Sequence, residues 1–325
     1  MSDRVLGSLA TVLAVVLLTP LPVAGQAATA SGLALTSWGA PDLQGIWDFR
    51  NITPLERPDE YVGRESLTDE EVAAADLAAA TRAASERRTE LTRERDVGLA
   101  YNQFWWDRGT SDGRTALIVD PQDGRIPYTA EGRERAQDRR ASRNLPAEGP
   151  EDRSVGERCM LGFNAGPPIT PGGYNQNIQI FQTPDHVVIL NEMVHDARII
   201  PMDGRPHVAK HLRQWRGDSR ARWDGGTLVI ETVNFYAQTS FLGSSPRTHL
   251  VERLSLVDPG TLLYEFTVED PSTWEKPWTV QFTMKQTDAP LYEYACHEGN
   301  YGMTNLLAGA RIQEKTSDGA ETQSR

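Results

Sequence analysis

The chain has 325 residues and a formal net charge of −12. A protein this acidic is repelled by nucleic acid and by anionic lipid, so we expect neither as a partner. The sequence contains no glycine-rich phosphate loop, no Gly-x-Ser-x-Gly motif and no Cys-x-x-Cys pair, and we therefore predict no cofactor.

The first 30 residues have the composition of a secretory signal peptide. An apolar run over residues 5–18 follows a polar start, and Pro20, Pro22 and a series of small residues end it. The run is shorter than the roughly 20 apolar residues that a membrane-spanning helix needs. The pattern predicts a periplasmic or secreted protein with no membrane span after signal cleavage. An uncleaved N-terminal anchor is the alternative.

The chain contains two cysteines, Cys159 and Cys296. In an oxidising compartment such a pair is normally a disulfide. We therefore predict a bridge between them. The alternative is that one thiol is a nucleophile and the other is merely buried.

Helical patterns follow an N-terminal segment, residues 31–65, that contains a candidate first strand. Thr68 and Glu71 have the spacing of a capping box, which predicts the start of a helix. Its apolar residues form only a thin stripe, so we expect this helix to lie on the surface. A second short helix is predicted over residues 130–143. Both helices belong to a helical segment, residues 66–143.

From residue 144 to 315 we predict an antiparallel β body. Asp-Gly and Pro-Gly steps reverse the chain between runs of polar and apolar residues. Residues 278–285 alternate strictly, as a strand with one buried face does, and the alternation continues to Cys296. The predicted strands cover residues 177–182, 186–194, 197–202, 221–223, 227–233, 249–257, 262–268 and 278–285. Residues 316–325 are expected to be a disordered tail.

Successive hairpins without intervening helices form an antiparallel meander. Its unpaired edge strands are best avoided by closure of the sheet into a barrel. We therefore predict a mainly β fold, a meander that closes into a lipocalin-like barrel or a strongly curved sheet, with one or two N-terminal surface helices in the same domain. A two-sheet sandwich is the alternative. Gly45-Ile46-Trp47 is similar to the Gly-x-Trp of lipocalin-type barrels, in which the Trp plugs one end.

Several stretches of the sequence form long and specific motifs. They cover residues 104–109, 117–121, 123–127, 191–198, 215–223 and 294–301. Together they resemble a group of exported, functionally unassigned proteins of proteobacteria and acidobacteria, over most of the chain from about residue 41 to 311. The resemblance implies a secreted bacterial protein. It implies no activity, so no site residue follows from it.

The candidate catalytic residues are His297, Glu298 and His195. Imidazole titrates near neutral pH and an adjacent carboxylate orients it, which suits general acid–base chemistry. His297 and Glu298 follow Cys296, so the predicted bridge would hold them rigidly. The alternative is that these groups only hydrogen-bond a turn.

Residues 191–198 supply a second group of polar side chains. On a strand, His195 and Asn191 lie on one face. The opposite face then carries Glu192, Asp196 and Arg198, which we interpret as a structural ion network. Asn191 is therefore the predicted substrate-binding partner of His195.

The remaining predicted substrate-binding residues are hydrogen-bond donors and aromatic residues. Asn300 and Tyr301 would donate hydrogen bonds beside His297. Trp105 and Trp106 either belong to the core or line an apolar pocket for an aromatic or terpenoid-like ligand. The arginines placed to hold a ligand carboxylate are Arg108, Arg114 and Arg125.

His207 and His211 are four residues apart, which on a helix places both imidazoles on one face, as in zinc sites. Glutamate does not follow His207, and Pro206 makes a helix doubtful. We interpret the segment as a solvated turn and predict no metal site.

These residues are compatible with three functions. The first is a cofactor-independent isomerase, lyase or hydrolase that acts on a small, largely apolar or aromatic molecule in a barrel cavity, with His297 and His195 as the acid–base pair. The second is a non-catalytic periplasmic binder or carrier that uses the same cavity. The third is a structural envelope protein. The sequence leaves open whether the protein is an enzyme and what its oligomeric state is.

Overall fold

The computed structural model describes residues 33–84, 106–142, 145–298 and 300–323. These residues form ten β-strands and three α-helices. The strands are β1 (Gly45–Asp48), β2 (Ile118–Asp120), β3 (Asn177–Gln182), β4 (His186–Asn191), β5 (Ala197–Pro201), β6 (Asp218–Asp224), β7 (Thr227–Val233), β8 (His249–Asp258), β9 (Thr261–Glu269) and β10 (Trp278–Thr287). The helices are α1 (Asp69–Ala84), α2 (Ala130–Ser142) and α3 (Tyr301–Gln323). The predicted signal peptide lies outside the described residues.

All ten strands belong to one antiparallel sheet. Its order is β5-β4-β3-β1-β10-β9-β8-β7-β6, and β2 pairs with β10 beside this path. Trp47 on β1 lies opposite Ile178 on β3 and Gln286 on β10, so the short first strand joins the two halves of the sheet. The predicted mainly β, antiparallel fold is confirmed.

The sheet curls back on itself without closing. Arg198 on β5 forms an ion pair with Glu252 on β8, although six steps of the strand order separate these strands. In a flat sheet that separation would be about 29 Å, at about 4.8 Å per strand. The edge strands β5 and β6 approach each other, and an ion pair between Asp196 and Arg216 lies where a backbone ladder would close the barrel. The strongly curved sheet is confirmed, and closure into a lipocalin-like barrel is wrong.

The concave face of the sheet carries the core. Alternation along β8 turns Leu250, Glu252 and Leu254 inward, as expected for a strand with one buried face. Trp47 is also fully buried, and its Nε1 donates to the Leu43 carbonyl at 2.8 Å. The other large side chains of this core are Phe49, Tyr264, Phe266, Trp274, Trp278 and Phe282.

Both predicted N-terminal helices are confirmed. The Thr68 backbone donates to the Glu71 carboxylate at 2.8 Å, and Glu71 N–H donates to the Thr68 hydroxyl at 3.3 Å, which completes the capping box. Helix α2 touches the sheet domain at Gly132, where a Cβ would lie 2.1 Å from the carbonyl oxygen of Thr273. None of the helices in the described ranges has the length and apolar content of a membrane span.

Two parts of the predicted β body differ in the structure. The strand predicted to reach residue 194 ends at Asn191, where a 3-10 helix (Met193–His195) follows. The last strand ends at Thr287, before Pro290, which lacks the N–H that a ladder requires. Residues 288–298 therefore do not continue the alternation, and α3 occupies the end of the chain as far as Gln323, where we had predicted a disordered tail.

Candidate functional site

The predicted disulfide joins Cys159 to Cys296. It connects the loop before β3 to the segment after β10, across 137 residues of sequence. Cys296 also packs with a small apolar cluster of Ala165, Met193 and Val194. The bridge therefore holds three loops together beside the ends of β3 and β4.

His195 lies in a strained turn next to this cluster. Val194 and His195 have φ values of 63° and 40°, in the left-handed region that costs a β-branched residue the most. The Nδ1 of His195 donates to the Tyr294 carbonyl at 3.2 Å. In the neutral imidazole this leaves Nε2 as an exposed hydrogen-bond acceptor.

The three predicted catalytic groups do not form one unit. His195, His297 and Glu298 are all exposed. No hydrogen bond or ion pair joins their side chains in the part of the chain that the structure describes. His195 lies against the segment at Tyr294, three residues before His297, and its contact there is with the backbone.

A small, partly open cavity of about 10 Å³ lies at the end of the sheet, and neither His195 nor His297 lines it. Its lining consists of Pro167, Pro168, Phe235, Thr239, Phe241, Ser244, Thr248, Leu250 and Val268. This volume has room for about one water molecule.

The predicted faces of residues 191–198 are wrong, because the strand ends at Asn191. Asn191 is buried, with no hydrogen-bond partner for its Oδ1 among the described residues, whereas His195 is exposed. Glu192 accepts hydrogen bonds from Asn177 Nδ2 at 2.8 Å and from the Tyr292 N–H at 3.2 Å. Asn191 and His195 thus do not share a face.

Asp196 and Arg198 also have separate partners. Asp196 forms the ion pair with Arg216, whose pKa burial lowers to about 10. Arg198 points inward and pairs with Glu252. The expected ion network of Glu192, Asp196 and Arg198 on one strand face is therefore absent, because each of the three has a different partner.

The Arg198–Glu252 pair belongs to a fully buried network. Arg198 donates to both carboxylate oxygens of Glu252, at 3.3 and 2.6 Å. The Tyr264 hydroxyl donates to Glu252 at 2.7 Å and accepts from the Ile169 N–H at 3.0 Å. Burial raises the pKa of Tyr264 well above its usual value. The network ties β5, β8, β9 and the loop before β3 together.

Asn300 and Tyr301 begin α3. The Asn300 Oδ1 accepts from the Met303 N–H at 3.3 Å, as an N-cap residue does, and its Nδ2 donates to the Glu157 carbonyl at 3.2 Å. Tyr301 is 75% exposed. Asn300 therefore has a structural role, attaching the helix to the loop that carries Cys159.

Aromatic rings form the most distinctive surface near the disulfide. Tyr174 contacts Trp106 and Phe163 edge-on, with ring centroids 6.0 and 5.3 Å apart, and stacks on Tyr294 at 6.3 Å. Phe163 is 55% exposed. Gly173 permits this packing, because a Cβ there would lie 2.4 Å from the Trp106 ring. Trp105, predicted with Trp106, lies outside the described residues.

The three predicted arginines differ in their contacts. Arg114 pairs with Asp112, and Arg125 pairs with Asp59. Arg108 instead lies over the Trp106 ring, with its guanidinium carbon 4.7 Å from the ring centroid. We call the set Trp106, Arg108, Phe163, Tyr174, His195 and Tyr294 the disulfide-proximal surface.

Arg108 is the cation of this surface. Its Nε is buried without a hydrogen-bond partner, and no ion pair of Arg108 occurs within the described residues. Burial lowers the pKa of the guanidinium, and the positive charge of Arg82 on α1 lowers it further. Both effects are those of a cation that lacks a compensating anion.

His207 and His211 do not lie on a helix. His207 Nδ1 contacts the buried Asp218 carboxylate at 2.9 Å. Among the residues the structure describes, no cluster of three or more His, Cys, Asp or Glu side chains is suited to a metal ion.

Sequence reasoning included Tyr174 among the aromatic residues that could line a pocket, but it did not assign Phe163 or Tyr294 to the site. The sequence feature that indicates this packing is Gly172-Gly173 before Tyr174, because two glycines let aromatic rings approach the backbone. The sequence matches no protein-family model and no curated protein closely enough to indicate a family. The resemblance to exported bacterial proteins stays a prediction.

Proposed function

We propose that this exported protein binds a small, largely apolar or aromatic organic molecule, and that it does so on the disulfide-proximal surface. The predicted location in a barrel interior is replaced by this surface, because the core side chains fill the concave face of the sheet. Non-catalytic binding or carriage is the function that the geometry supports best.

The contact group around Tyr174 carries this proposal. Trp106, Phe163 and Tyr294 all touch the Tyr174 ring, and the group stays partly open to solvent. Aromatic rings offer large apolar area at a low cost in side-chain entropy, and they stack on planar or apolar ligands. Nearby, His195 Nε2 is available to accept a hydrogen bond from the ligand.

Binding is favoured over acid–base catalysis by the positions of the predicted catalytic groups. A general acid–base pair has to reach one substrate from defined positions, normally within about 3 Å of the proton transferred. His297 and Glu298 are exposed, and no hydrogen bond or ion pair joins their side chains to His195 or to each other in the described chain. The isomerase, lyase or hydrolase function therefore lacks support from the geometry.

Export is part of the proposal. The disulfide is compatible with an oxidising compartment. Fractionation of a bacterium that expresses the full chain tests it: we expect mature protein, cleaved near residue 30, in the periplasm or the medium. Uncleaved protein that stays in the cytoplasm would contradict export.

Ligand binding is tested by calorimetric titration of the oxidised protein with 2-naphthalenemethanol, a neutral aromatic probe. We expect Trp106→Ala to weaken binding about tenfold or more, because the ring supplies both apolar area and aromatic contact. Trp38→Ala is the matched control, since Trp38 is 40% exposed and lies outside the surface. Equal affinities for the two variants, or no binding by the wild type, would contradict the proposed function.

A further inference from the structure

We infer that the ligand of the disulfide-proximal surface is an organic anion, an aromatic or apolar carboxylate, and that Arg108 recognises its carboxylate group. The inference rests on the proposed function and adds the chemical class of the ligand and the residue that selects it.

Arg108 is a partly buried cation without an ion pair among the described residues. Its guanidinium contacts the Trp106 ring instead of a carboxylate. A partly buried charge without a counter-charge is costly. An anion that paired with the guanidinium would compensate its charge, whereas a neutral apolar ligand would bury the charge further.

The positive charge of Arg108 has no ion pair among the described residues, although the chain as a whole carries a net charge of −12. Burial and the positive charge of Arg82 on α1 lower the pKa of Arg108. The other two predicted arginines, Arg114 and Arg125, pair with carboxylates of the chain. Of the three predicted arginines, Arg108 is thus the one whose charge a ligand anion would compensate.

The geometry of Arg108 and the rings also fits a carboxylate ligand. A guanidinium that lies over an aromatic ring keeps its N–H groups in its own plane, where they match the two oxygens of a carboxylate. From Arg108 the aromatic contacts continue through Trp106 to Tyr174 and then to Tyr294. A ligand that carries a carboxylate on one or two fused rings would place the carboxylate at Arg108 and its rings along these aromatic side chains.

The test compares two probes that differ in charge, 2-naphthoate and 2-naphthalenemethanol, on the oxidised full-length protein by calorimetry. We expect the wild type to prefer naphthoate by about 10- to 100-fold, the usual contribution of a hydrogen bond to a charged group. Arg108→Gln should remove the preference, so that the ratio of the two affinities falls to about one. Arg108→Lys should restore only part of it, because an ammonium cannot form the bidentate contact.

Arg125→Gln is the matched control, since Arg125 is a half-exposed arginine with a carboxylate partner in Asp59. It should keep the full preference for naphthoate. If the wild type binds both probes equally, or if Arg108→Gln keeps the preference, the anion inference is overturned while the proposed function stands. If neither probe binds, the proposed function fails and the inference fails with it.

Discussion

Two arginines of this protein, Arg198 in the interior and Arg108 on the disulfide-proximal surface, have the same side chain and opposite surroundings. Arg198 donates to both oxygens of Glu252, which is fully buried and also accepts from Tyr264. Arg108 lies over the Trp106 ring and has no ion pair among the described residues, whereas the Nε atoms of both arginines are buried without a hydrogen-bond partner. A charge whose partners belong to the same chain stabilises the fold, whereas a partly buried charge without one indicates a ligand.

The largest expected effect comes from removing the covalent bond beneath the surface. Because the Cys159–Cys296 bridge spans 137 residues, the chain-entropy model gives it about 5 kcal/mol of unfolding free energy. We expect the double variant Cys159→Ser/Cys296→Ser to lose an amount of this order in guanidinium chloride unfolding, and to lose affinity for the naphthyl probes as its loops separate.

Reduced wild-type protein is the control for that variant and should unfold at the same denaturant concentration. A double variant as stable as the oxidised wild type would show that the bridge holds nothing in place. The surface would then have to be preorganised by aromatic packing alone.

Glu252→Gln removes the anion of the buried Arg198–Glu252 ion pair. The substitution leaves the Arg198 charge buried without a compensating anion, which costs about 3–5 kcal/mol. Urea unfolding measures the loss. The folded fraction should keep the wild-type affinity for 2-naphthoate, because Glu252 has no contact with the surface residues named above.

Glu231→Gln is the control for Glu252. Glu231 also pairs with a basic side chain, His249, at 2.7 Å, but both partners are more than a third exposed. Its loss should cost less than about 1 kcal/mol, since exposed pairs contribute little. Equal losses from Glu231→Gln and Glu252→Gln would contradict the view that burial gives the interior network its importance.

A smaller effect is expected at the start of α3. Asn300→Ala removes the N-cap bond to Met303 and the bond to Glu157, and should cost about 1 kcal/mol. Asn305→Ala, in the exposed part of the same helix, should cost nothing, because alanine has the higher helix propensity. Circular dichroism during urea unfolding distinguishes the two variants, and similar losses would refute the capping role.

The smallest stability effect is expected for Arg108→Gln, which should change the free energy of unfolding by no more than about 0.5 kcal/mol. The reason is that Arg108 has no ion pair within the described chain to lose. A loss of 2 kcal/mol or more in urea would make Arg108 a structural residue like Arg198 and would remove the contrast between the two regions.

Local chemistry made much of the fold predictable. Residues 177–182 and 227–233 were predicted as strands with the bounds that the structure has, because period-two alternation and turn residues act over a few positions. The capping box at Thr68 was predictable for the same reason. Helix α3 was not predicted, because the apolar alternation before it is typical of a longer strand, whereas the strand ends at Thr287, before Pro290.

The candidate site was less predictable because its members come from separate loops. Trp106 and Arg108 were selected from sequence, but the contacts of Trp106 with Tyr174 and of Tyr174 with Tyr294 join segments that are far apart in the chain. The expected pairing of His195 with Asn191 failed because the strand is three residues shorter than predicted, and side chains beyond a strand end no longer alternate between its faces. His195 and His297 as an acid–base pair stay a prediction without support from the geometry.

The sequence by itself determined the antiparallel meander, the helix starts and the cysteine pairing, which depend on residue type and short spacing. The tertiary structure decided that the sheet curls without closing, that Arg198 reaches Glu252, and that Arg108 forms no ion pair in the described chain. These outcomes depend on which residues meet across the curved sheet and between loops. Ion pairs between residues that are far apart in the sequence depend on three-dimensional packing. The local pattern of polar and apolar residues does not predict that packing.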